Sequence, residues 1–155
     1  MPIRWMSETD AREFLAAQTE GRLATCDAAG QPYITPLNYL YREGKIYFHS
    51  KFVGRKLDNI AENSRVCFEV SNVEKITVSN DRSCACSTRY TSVLVFGVAR
   101  VIPDGAEKTA LLNLLVARYA AGKPFQPVED CHAAECAVVE IRINEISGKR
   151  NIDPE

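Results

Sequence analysis

Ile46-Tyr47-Phe48-His49-Ser50-Lys51-Phe52-Val53-Gly54-Arg55-Lys56-Leu57-Asp58-Asn59-Ile60 reads as a strand that runs into a helix. Alternating β formers end in the polar pair His49-Ser50, Gly54 breaks the run, and Leu57, Ile60 and Ala61 then recur with helical spacing. Cations in a first helical turn oppose the positive end of the helix dipole, so Arg55 and Lys56 are out of place there without an anion. Open amides at a helix start are what an anion would meet, and the junction reads as a local phosphate site.

Toward the N-terminus, Ser7 with Asp10 is a capping signal, and Ala11, Phe14 and Leu15 carry a helix over about Glu8 to Gln18. The period then falls to two. Arg22 to Cys26 and Pro32 to Tyr41 form a hairpin around Asp27-Ala28-Ala29-Gly30, and Arg42-Glu43-Gly44 turns the chain into the strand Lys45 to His49. Toward the C-terminus, Arg65 to Val70, Ser92 to Val101 and Cys136 to Ile146 read as strands, and Ala106 to Ala120 as the longest helix. The helix at Arg55 to Glu62 reads as surface-lying, and the polar stretch from about Thr77 to Thr88 as a long loop, functional or mobile. Strands outnumber helices and are joined mainly by turns. The fold class is therefore mainly β with α (α+β), an antiparallel sheet curling towards a barrel and flanked by short helices.

The 155 residues are enough for one domain with its own core, and 46% hydrophobic with 25% charged residues is an ordinary globular composition. A formal net charge of -1, from 19 basic and 20 acidic residues, excludes a whole-chain field that would draw nucleic acid or an anionic membrane. No apolar run approaches the ~20 residues of a membrane span and no signal peptide is legible, so a cytoplasmic protein is expected. The six cysteines are accordingly expected as thiols, with Cys26 and Cys67 as small buried apolar residues of strands.

The blocks Gly21-Arg22-Leu23-Ala24-Thr25, Pro36-Leu37-Asn38-Tyr39, Ile46 to Ser50, Gly54 to Ile60, Arg65 to Glu69 and Arg89-Tyr90-Thr91-Ser92, with Phe96-Gly97, keep their order and spacing over roughly residues 8 to 150. This pattern resembles the pyridoxamine 5'-phosphate oxidase-like flavoproteins, and within them the branch of the nitroimidazole-resistance proteins. The resemblance implies a single split-barrel domain over 1–155, a homodimer, and FMN held at the subunit interface. It further implies that Pro36, Leu37 and Asn38 run along the flavin ring, that His49, Ser50 and Lys51 flank the ribityl chain, and that Arg55 and Lys56 bind the phosphate. It implies as well that Tyr90 and Ser92 line the cofactor, from the same or the partner subunit, and that the terminal Gly148-Lys149-Arg150 approaches the cleft. The pair Cys84-Ala85-Cys86 departs from the family pattern.

The implied activity is FMN-dependent oxidation or reduction of a small molecule, with a nicotinamide as reductant and a nitroaromatic as the acceptor the branch suggests. Two alternatives stand beside it: a flavin-binding protein without turnover, and a haem-binding or haem-degrading protein with His49 or His132 as iron ligand. No residue stands out as the catalytic group; His49 is the candidate proton donor. Cys84-x-Cys86 and Cys131-His132-x-x-x-Cys136 lack the spacing of a zinc knuckle, and no metal site is expected.

Overall fold

The computed structural model describes residues 4–78 and 86–151. In chain order the elements are β1 (Arg4–Trp5), α1 (Glu8–Ala17), β2 (Glu20–Cys26), β3 (Pro32–Asn38), β4 (Leu40–Arg42), β5 (Lys45–Ser50), α2 (Arg55–Glu62), β6 (Arg65–Thr77), β7 (Ser87–Val101), α3 (Ala106–Ala120), α4 (Asp130–Ala133) and β8 (Ala137–Asn151). The strands form one antiparallel sheet in the order β3-β2-β6-β7-β8-β5-β4, with β1 added beside β8.

The two ends of that order, β3 and β4, are separated in sequence by Tyr39 alone, so the chain carries the sheet from one edge to the other. The sequence reading ran them together as one strand. They are broken because Tyr39 turns inward: its N–H donates to the Thr19 carbonyl at 3.2 Å, its ring meets Phe68 edge-on at 4.9 Å, and its hydroxyl donates to the Leu15 carbonyl. Gly21 leaves room for this packing, since a Cβ there would come within 2.2 Å of the Phe68 ring. The result is the split barrel that the sequence pattern implied.

Its interior is filled by Leu23, Ile46, Phe48, Phe68, Val93, Val95 and Ile141, and Leu57 and Ile60 of α2 join the same cluster. The helix expected to lie on the surface is thus half sunk into the barrel. A second cluster packs Leu111, Leu112 and Leu115 of α3 against Tyr47 and Val138 on the outside of β5 and β8. That is why Ala137 to Ile141 is a run of buried residues rather than an alternating one: barrel lies on one face and helix on the other.

Three strands outrun their sequence limits. β6 continues to Thr77 and β7 begins at Ser87, paired along their length with one irregularity between Val73 and Lys75. The outer half of β6 reads as loop because Asn72, Glu74 and Lys75 are polar, but they are exposed and satisfy the ladder with backbone alone. β8 reaches Asn151, so Gly148-Lys149-Arg150 is ordered between β7 and β1. Of the stretch read as a loop, Thr77, Ser87 and Thr88 are paired strand, and residues 79–85 lie outside the described ones. Among the described residues no helix is long and apolar enough to cross a membrane.

Candidate functional site

At the β5–α2 junction, Ser50 is 5% exposed, and its hydroxyl is buried with no hydrogen-bond partner among the described residues. A buried hydroxyl left alone costs about 1–3 kcal/mol, which is the kind of site a ligand oxygen relieves. Four residues on, Gly54 starts α2 with φ 133, a conformation open to glycine, and offers no capping side chain. The first turn of α2 is therefore uncapped by side chains, and Arg55 and Lys56 stand on it.

Arg55 is held by two contacts from the β2–β3 hairpin: its guanidinium lies 5.3 Å from the Tyr33 ring centroid and 3.5 Å from an Asp27 carboxylate oxygen. The ion pair is long and exposed, so it aims the side chain more than it neutralises it. Asp27 is spent largely on its own turn, accepting from the Ala29 and Gln31 amides at 3.0 and 2.9 Å. On the other side of the junction, Lys108 of α3 is 1% exposed, bonds Asp104 at 2.6 Å, and places its ammonium 5.1 Å from the Phe52 ring. Lys108 thus pins the Lys51–Gly54 loop, a role that sequence reasoning missed; the spacing of Asp104 and Lys108 was the one available signal.

His49 is not part of this cluster. Its neighbour Ser50 points into the barrel, so His49 faces the opposite side of the sheet, where it is exposed and 6.3 Å from the Tyr119 ring. Pro36 and Asn38 are exposed and Leu37 half-buried on β3, whose far edge carries no neighbouring strand in the sheet order. Tyr90 and Ser92 lie on β7, three strand spacings from β3, about 14 Å at about 4.8 Å each. Ser92 sits between Ser71 and Lys149, and Lys149 Nζ is 5.8 Å from the Tyr90 ring. Arg150 instead pairs in register with buried Thr91. Three groups result, on the junction, on the β3 edge and on the outer face of β7–β8, and His49 and Arg150 belong to none of them.

A cavity of about 560 Å³ opens where the β2–β3 hairpin meets the start of β6. Cys26, Cys67, Asn63, Arg65 and Phe96 line it, and none of the residues chosen from the sequence does. Both cysteines are half-buried rather than buried as expected. Asn63 donates to Cys26 Sγ at 3.0 Å, and burial, aided by Glu69, pushes the Cys67 thiol up. Cys67 is therefore a poor nucleophile at neutral pH. Cys84 lies outside the described residues. Cys131 and His132 are exposed on α4, where their ligand atoms lie with one of Glu129 within 4.8 Å of each other.

Three comparisons bear on this arrangement. A reductase of 5a,11a-dehydrotetracycline and 5a,11a-dehydrooxytetracycline from Streptomyces rimosus is 32% identical over 99 residues, 61% of this chain and 63% of that protein, less than two thirds of its length. A Bacteroides thetaiotaomicron protein named for 5-nitroimidazole antibiotic resistance superposes with a TM-score of 0.81 at 22% identity, covering 97% of this chain and 89% of its own. An FAD-binding protein from Mesorhizobium loti superposes with a TM-score of 0.74 at 25% identity, over 98% of this chain and all (100%) of its own. The sequence profile described as pyridoxamine 5'-phosphate oxidase matches residues 7–150, from the cap of α1 to the end of β8, and the chain belongs to that family.

Proposed function

We propose that this protein is a flavin-dependent oxidoreductase, holding FMN with its phosphate at the β5–α2 junction and passing reducing equivalents from a nicotinamide to a small acceptor, a nitroaromatic among them. The observation that carries this reading is the orphaned, buried Ser50 hydroxyl beside an uncapped helix start with two cations on it. Ser50 donates to the phosphate, Arg55 and Lys56 balance its charge, and Lys51 adds a cation from the loop. The flavin, when bound, supplies reversible electron transfer. The open edge of β3 offers the Pro36 carbonyl and the Asn38 backbone to the polar rim of a flavin ring, whereas Leu37 turns its backbone towards Gly21 of β2.

Tyr90 and Ser92 are too far from β3 to serve the same ring within one subunit. We therefore assign them to the cofactor of a partner in a homodimer. An apolar row supports that docking: Ile34, Ala24, Cys67 and Phe96 are register neighbours on one face, with Ile34 63% and Phe96 46% exposed. The cavity lined by Ala24, Cys67 and Phe96 opens on this same row, so a docking partner would cover it. The family membership and the names of the Streptomyces and Mesorhizobium proteins support reduction and a flavin respectively. Haem ligated by His49 is the weaker reading, because a group held by Ser50 and Arg55 would not reach His49 on the opposite face; His132 on α4 stands apart from both. Arg55→Ala with Lys56→Ala tests the site: charge-assisted bonds worth about 1.5–3 kcal/mol each predict at least tenfold weaker FMN binding. Unchanged affinity would show the phosphate site to be misplaced.

A further inference from the structure

Strand β1 has only two residues, yet it lays the one tryptophan of the chain beside a cation. Trp5 pairs with Lys149, Lys149 with Ser92, and Ser92 with Ser71. Opposed residues of an antiparallel ladder share a face, with Cβ atoms about 4.5–5.5 Å apart. Met6 and Gly148 point the other way: Met6 packs against the barrel core, and a Cβ at Gly148 would stand 2.7 Å from its sulfur. Trp5 is therefore on the outer face, 74% exposed, in one row with Lys149 and Ser92. Tyr90, 5.8 Å from the Lys149 ammonium, flanks the cation from the other side. Asn151, opposite Tyr90, gives its amide protons to Ser87 Oγ at 3.2 Å and to the Thr88 carbonyl at 2.7 Å, and its side-chain oxygen is buried without a donor among the described residues.

Within one subunit Trp5 leaves most of its ring open, pairing of so short a strand does not require an indole, and the ring stands in the row of Ser92, which the dimer reading sets beside the partner's cofactor. We propose that Trp5, Lys149 and Tyr90 form a binding site for a planar anionic ring. Trp5 supplies the stacking surface, Lys149 pairs with an ionised oxygen, and Asn151 accepts from a hydroxyl or amine substituent. That the ligand is the electron acceptor rests on the flavin reading above; the site itself rests on the register of β1, β8 and β7.

Because Trp5 is the only tryptophan, its emission reports this site. The experiment is a titration of the purified protein with 4-nitrobenzoate, a planar anion, and with cyclohexanecarboxylate, which has the same charge without the plane. Saturable quenching by 4-nitrobenzoate, at least tenfold weaker in Lys149→Met and not displaced by cyclohexanecarboxylate, is expected. Quenching that rises linearly without saturating, or the same affinity in Lys149→Met, overturns the site. Trp5→Leu is expected to keep the wild-type flavin content; loss of flavin in that variant would place Trp5 on the cofactor and overturn the assignment. A wild-type protein that takes up no flavin defeats the functional reading above, while the titration still decides this one.

Discussion

Glu140 shows how strongly single residues are coupled in this fold. It is 3% exposed on β8, yet it accepts from Arg100 at 2.7 Å, Lys45 at 2.8 Å and the Tyr47 hydroxyl at 3.2 Å. Burial alone would raise its pKa, but the bonds from Arg100 and Lys45 overcome this and hold it at about 2, from an ordinary 4.5. A carboxyl depressed in the folded state stabilises fully above its unfolded pKa and loses that contribution as pH falls toward the folded one. Stability should thus decline by about 3 kcal/mol between roughly pH 4.5 and pH 2 on this account. Glu140→Gln should cost about 1–3 kcal/mol at pH 7, less than a fully buried pair, because Lys45 and Arg100 are partly exposed and can rehydrate. It should also flatten the acid limb in chemical denaturation; an unchanged limb would assign that limb to other groups. Ser50 gives the complementary test. Ser50→Ala should leave flavin-free stability unchanged or raised, since the hydroxyl has no partner there, and should weaken FMN binding several-fold.

The junction of β5 and α2 was legible because its chemistry is local: the alternation of Ile46 and Phe48, the glycine and the paired cations all lie within fifteen residues. Elements that depend on distant partners were not. The outer half of β6 is polar and becomes strand through pairing with β7, and β1 is two residues whose only signal is the register it finds on β8. The end of α1 is likewise a tertiary matter, since Arg118 of α3 donates to the carbonyls of Ala16 and Gln18 at 2.7 and 2.5 Å. The last four carbonyls of a helix have no partner within it, and a guanidinium 100 to 102 residues away in the chain supplies donors to two of them. Arg118→Ala should cost about 1–3 kcal/mol in denaturant unfolding. A loss below a few tenths would mean that water replaces the guanidinium without penalty.

For the whole molecule, the antiparallel barrel followed from the turn-linked alternating strands, but its split did not follow from them alone, because it hinges on Tyr39 leaving the ladder to fill the core. The residues chosen from the sequence fall into separate groups on the β5–α2 junction, the β3 edge and the β7–β8 face, with His49 and Arg150 outside them, because spacing along the chain does not say which strands become neighbours. His49 and Ser50, adjacent in sequence, face opposite sides of one sheet. The proposed dimer would bring the separated groups together, and it makes a prediction of its own: Phe96→Glu, placed in the exposed apolar row, should yield a monomer by sedimentation and lose flavin together with the partner. A monomeric variant that keeps its flavin would put the whole cofactor site in one subunit. The most direct test of the account is the absorbance spectrum of the purified protein, with the released chromophore identified by mass. FMN in about one copy per subunit is the predicted result; a Soret band, or a colourless protein that takes up no added FMN, would contradict it.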